Sequence, residues 1–137
     1  PVEADMLTPR LKVQDFIGRA ALEQALVEDR AAVCCTLTVD DHTSGRTGER
    51  RFMLGRQPIV TADGSAITDR KGRQSYANSA GMGPSLGRYL LLSYLPPEHA
   101  VEGNKLFVQY FGELYPVTVA RVGASPLFDP ENSRVRA

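Results

Sequence analysis

The stretch SAGMGPSLGRYLLLSYLPPEHA, Ser79 to Ala100, decides the fold. Three glycines and a proline fall between Gly81 and Gly87, an apolar run follows at once, and Pro96-Pro97 stops it. The glycines spell Gly81-x-Gly83-x-x-x-Gly87, whereas a dinucleotide fingerprint needs G-x-G-x-x-G between a strand and a helix. Arg88 to Leu95, RYLLLSYL, reads as a strand apolar on both faces, so no helix N-terminus follows to receive a pyrophosphate. The glycines therefore read as a backbone bend leading into a buried strand.

Outward from this stretch the chain is rich in short strands. AAVCCTLTV, Ala31 to Val39, is uncharged and β-branched, as a core strand is. Cys34 and Cys35 are neighbours, so a strand would send one thiol inward and the other outward. QPIVT and SAIT flank the Asp63-Gly64 turn. KLFVQYF, Lys105 to Phe111, and LYPVTVARV, Leu114 to Val122, flank Gly112-Glu113, a pattern expected of a type II′ hairpin. Pro116 predicts that the second arm lies on an edge or opens with a bulge. Asp40 to Arg56 is polar and Gly-rich, the composition of a long surface connection.

One helix precedes the strands. In QDFIGRAALEQALVEDR, Ile17, Ala21 and Ala25 recur every four residues and Leu22 and Leu26 widen the stripe, with Asp15 as the expected N-cap. After Val122 an irregular tail follows, in which Leu127 and Phe128 are expected to tuck back onto the body. The resulting fold class is mainly β: a small antiparallel Greek-key-type barrel of about six strands with one N-terminal α-helix. Residues 1–14 read as a connector from an upstream domain, 15–122 as helix plus barrel, and 123–137 as the tail.

Composition narrows the chemistry. Sixteen basic residues balance sixteen acidic ones in 137, so no net field draws nucleic acid or an anionic membrane, and an RNA-binding barrel is disfavoured. No apolar run approaches the roughly 18 residues a membrane span needs. The opening PVEADMLTPRLK lacks an initiating Met and reads like the middle of a longer polypeptide. Two free-standing cysteines fit a reducing compartment, the cytosol or a mitochondrial matrix. Ser79 and Ser85 have no evident histidine partner, and His42 and His99 stand in unrelated contexts, so neither a nucleophile system nor a metal set is expected. DRKGR, Asp69 to Arg73, reads as a solvated basic turn. Tyr76, Tyr89 and Tyr94 read as core residues rather than a stacking platform. Arg30, directly after the helix, is placed either to offset the helix dipole or to hold an anion.

Four motifs in one order carry a resemblance: DFIGRAAL (Asp15 to Leu22), the strand with Val33 and Leu37, SLGRYLLLSYLPPE, and FGELYPVTVARV with PLFDP. Together the chain resembles the C-terminal barrel of the glycine cleavage T-protein family, on the side of the folate-dependent sarcosine and dimethylglycine dehydrogenases. The resemblance implies a barrel that packs against a larger upstream folate-binding domain of the same polypeptide. It implies transfer of a one-carbon unit to tetrahydrofolate by the parent, a catalytic carboxylate and FAD upstream, and no catalysis by this barrel alone. Relatives carry G-x-V-T-S-G where this chain has Ser75 to Ala80, keeping only the serine; Arg30 alone remains of their basic cluster. Arg30 and Ser79 are thus the expected folate-cleft contacts. The alternative is a non-catalytic interaction module that kept the barrel and lost the folate chemistry.

Overall fold

The computed structural model describes residues 2–5, 15–131 and 133–134. Most of the expected connector, Met6 to Gln14, lies outside the described residues. Helix α1 spans Arg19–Val27, and the strands are β1 (Val33–Val39), β2 (Ile59–Val60), β3 (Ala77–Gly83), β4 (Arg88–Leu95), β5 (Lys105–Tyr110) and β6 (Glu113–Val122).

Strand alternation builds the core. In β1, Cys35, Leu37 and Val39 point inward and are buried. They meet Leu91 and Leu95 of β4 on one side and Val117 and Val119 of β6 on the other, all in one apolar cluster. Every strand pair is antiparallel, and the sheet order is β2-β5-β6-β1-β4-β3. The sheet curls until its outer strands meet: Arg56 N donates to Ala77 O (2.5 Å), Ala77 N to Gln57 O (2.8 Å) and Ile59 N to Ser75 O (3.0 Å). Around the barrel β2, β3 and β4 are consecutive and β1 returns beside β4 after a long connection, which is Greek-key order. The closure is partial: beyond Ala77, β3 has no strand on its outer side among the described residues. The expected mainly-β six-stranded fold is what the chain adopts.

Four local expectations differ. Gly81 and Gly83 lie inside β3 rather than in a bend; the turn is Pro84 to Gly87, where only Gly87 of the three takes a positive φ, 63°. At the β5–β6 turn, Phe111 (φ 49°) and Gly112 (φ 72°) are the two loop residues and Tyr110 faces Glu113. Two positive φ values make this a type I′ turn, not a II′ turn with Gly112 leading. Pro116 sits in a strand flanked on both sides, and its missing N–H falls where β1 ends. Its carbonyl accepts Asp40 N (2.9 Å) just past the end of β1, so its nitrogen faces the side where that strand has run out. SAIT forms only isolated bridges, Val60 to Ala66 and Thr68 to Gln74.

α1 departs furthest from expectation. It begins after Gly18 (φ 92°), without a side-chain cap from Asp15, and none of its residues is buried. Ile17, Leu26 and Val27 are exposed rather than packed into the core. Of the expected stripe only Ala21, Leu22 and Ala25 share one cleft, and the barrel fills its own interior without the helix.

Candidate functional site

Arg30 and Ser79 line different depressions. Arg30 borders a cleft of about 350 Å³ between α1 and the barrel, walled by Ala21, Leu22 and Ala25 and rimmed by Glu3 and Lys71. Its guanidinium stands 3.6 Å from the Asp5 carboxylate, both half-exposed. Ser79 faces outward from β3 opposite Leu92. It lines a shallow apolar groove of about 450 Å³, shared with Gly81, Leu90 and the tail residues Leu127 and Phe128. The tail therefore does fold back, laying Leu127 over the outer faces of β3 and β4. One ligand bound in either depression would not be held by both residues.

The floor beside the Arg30 cleft is an ionic hub that the sequence does not announce. Arg73 grips Glu3 with both terminal nitrogens, Nη1 to Oε2 at 3.0 Å and Nη2 to Oε1 at 2.6 Å, and Asp69 Oδ2 with Nε at 2.7 Å. Asp69 is buried and also accepts Lys71 N (2.8 Å) and Arg73 N (3.0 Å), so DRKGR is a turn exposed from Arg70 to Arg73 and pinned at Asp69. The Arg73 hydrogen bond holds the Glu3 carboxyl below its ordinary range. Loss of solvent pushes Asp69 up, but the hydrogen bonds from Arg73 and Lys71 outweigh it and leave it lowered. Arg70 reaches across to donate to Asp29 O. Of the charged residues lining the cleft, Glu3 and Arg30 are ion-paired within the chain.

At the opposite end of the barrel the segment from Asp40 to Arg56 is pinned down, not loose. Glu113 accepts Ser44 Oγ (2.7 Å), Arg46 N (3.1 Å) and Tyr115 Oη (3.0 Å). The Ser44 hydroxyl does most to hold the Glu113 carboxyl below its ordinary range. Met53 enters the core at 0% exposure, and its carbonyl accepts Tyr89 Oη at 2.6 Å. His42, Phe52 and Tyr89 pack ring on ring, with centroids 4.9 to 5.8 Å apart. Tyr89 joins the core, whereas Tyr76 and Tyr94 line a small cavity of about 110 Å³ on the outside, so the three tyrosines form no common platform.

The carboxylates of Glu3, Asp69 and Glu113 all accept hydrogen bonds within the chain and belong to structure. Among the described residues no group of three His, Cys, Asp or Glu side chains is placed to hold a metal, and no helix is long and apolar enough to cross a membrane. Sequence reasoning missed the Glu113–Ser44 and Arg73–Glu3 pairs because the partners lie 69 and 70 residues apart along the chain. No local signal encodes such pairs.

Comparison with known proteins agrees with this architecture. The fold is similar to that of the glycine cleavage system aminomethyltransferase T from Bartonella henselae, with a TM-score of 0.55 at 18% identity. The match covers 76% of this chain and 25% of that enzyme, so this chain spans about a quarter of its length. Residues 30–129 match the glycine cleavage T-protein C-terminal barrel domain, and this chain belongs to that family.

Proposed function

We propose that this chain is the C-terminal barrel of a tetrahydrofolate-dependent enzyme that moves a one-carbon unit, and that the barrel walls the folate cleft without doing the chemistry. Membership of the T-protein barrel family over residues 30–129 carries the reading. The four ordered motifs favour the sarcosine or dimethylglycine dehydrogenase side of that family, in which FAD resides in a further domain. The partner is the upstream folate-binding domain of the same polypeptide, and the cytosol or a mitochondrial matrix is the compartment.

The Arg30 cleft fits part of a folate. Its apolar wall of Ala21, Leu22 and Ala25 suits a flat ring or its linker, and Arg30 with Lys71 suits the glutamate carboxylates. At about 350 Å³ and open to solvent it would hold only a portion of the molecule, as expected of one wall of a cleft completed elsewhere. Ser79 lies in the other groove and contacts a different portion or none. Tetrahydrofolate is the one-carbon acceptor when bound; Arg30 orients its anionic end. Titration of tetrahydrofolate into the 137-residue chain and into the polypeptide with its preceding domain tests this. Saturable binding only in the longer protein, weakened about tenfold or more by Arg30→Ala, is expected. Turnover by the barrel alone would overturn it.

A second reading has its own observation. Arg30 already faces Asp5, and Glu3 on the cleft rim is already held by Arg73. This supports a non-catalytic interaction module that kept the barrel and lost folate affinity. Absence of folate binding by the longer polypeptide would favour it.

A further inference from the structure

α1 carries apolar side chains in more than one direction, and the barrel accounts for only one of them. Ala21, Leu22 and Ala25 face the cleft beside the barrel. Leu26 (42% exposed) and Val27 (85%) at the end of α1, and Phe16 (40%) and Ile17 (105%) just before Gly18, do not line that cleft. A cluster of large exposed apolar side chains on and beside one helix marks a face for a second body to cover. The barrel is not that body. Its core cluster is complete without any α1 residue.

The polar ridge of the helix needs no outside partner either. Arg19 Nε donates to Glu23 Oε1 at 2.8 Å, and Gln24 Nε2 to Glu28 Oε1 at 3.1 Å. What remains to be matched is apolar area, so the complementary surface is apolar rather than charged.

Position along the chain selects the occupant. α1 lies just before the family-matched segment, residues 30–129, and so outside the matched barrel domain. The family's barrel is a C-terminal one, and in the solved relative three quarters of the chain lies outside the region matched here, since the match covers 25% of it. We infer that α1 is a wedge between two bodies: Ala21, Leu22 and Ala25 lean towards the barrel, and Ile17, Leu26 and Val27 seat in an apolar patch of the domain that precedes it. This rests on the reading that such a domain belongs to the same polypeptide, but not on folate chemistry.

Backbone hydrogen exchange tests it in the 137-residue chain and in the polypeptide with its preceding domain. The α1 amides are expected to exchange about tenfold or more slowly in the longer protein. The double variant Ile17→Ser, Val27→Ser in the longer protein should return α1 to the short chain's rate. Barrel amides such as those of Leu37 and Val119 should not change, which separates lost docking from lost folding. Equal α1 exchange in both chains, or a variant without effect, overturns the inference. Protection of α1 in the short chain that grows with protein concentration also overturns it, and assigns the face to a second copy. Tetrahydrofolate titration of the same samples is an independent readout, so failure of the folate reading leaves this result standing.

Discussion

The Cys34–Cys35 pair shows how much one residue's shift along a strand changes. Cys35 points into the core at 0% exposure, and burial first, then its neighbouring thiol, pushes it up to about 12. Cys34, on the other face, is raised by burial alone. At pH 8 a thiol reagent should therefore label Cys34 slowly and leave Cys35 intact until the protein is unfolded; mass spectrometry of labelled peptides checks this. Equal labelling of both in the native protein would contradict the inward placement. Leu37, two positions on and equally buried, should cost about 3 kcal/mol on truncation to Ala, read as a lower urea midpoint at unchanged slope. Alternation alone said that one of the two thiols lies inward, but not which. The partners of Arg30 and Ser79 were not legible, because Asp5 and Leu127 reach them through tertiary folding rather than through neighbouring sequence.

At the level of elements, the strands with branched and aromatic side chains are readable and the glycine-bearing one is not. β4, β5 and β6 fall within a residue or so of their expected bounds. β3 was invisible because Gly81 and Gly83 weaken any local strand preference; the ladder to β4, from Ala77–Ser93 to Gly83–Arg88, holds it extended. The β5–β6 hairpin was foreseen, but its register turned on φ at Phe111, which a bulky residue rarely takes above zero. Gly112 (φ 72°) is the second left-handed position, and a Cβ there would also stand 3.3 Å from Arg46 Nη2. Gly112→Ala should destabilise by about 1 kcal/mol in urea denaturation, whereas Gly81, with open space around it and ordinary φ, should accept Ala with less loss. The Asp40–Arg56 segment was read as a surface connection from its polarity. The groups that clamp it, Glu113 and Tyr89, are distant in sequence.

For the whole molecule, acid should loosen the fold through its hydrogen-bonded carboxylates. Glu3, Asp69 and Glu113 all have lowered pKa values in the folded chain. Unfolded, they titrate near about 4. Their contribution is therefore fully present above about pH 4 and is lost as pH falls through the folded values, where the unfolded chain binds the proton more readily. The urea midpoint should fall between pH 7 and pH 3, and Glu113→Gln should make that fall smaller. A midpoint independent of pH would contradict the assignment. The curled sheet also has one thin join, where Gln57 to Ile59 meets Ser75 to Ala77 while β3 runs on unpaired beyond it. A vessel closed by so short a clasp has a built-in line of parting. Opening there leaves the β3–β4 and β5–β6 hairpins intact, so water gains a route to Met53 and Ile59 well short of complete unravelling.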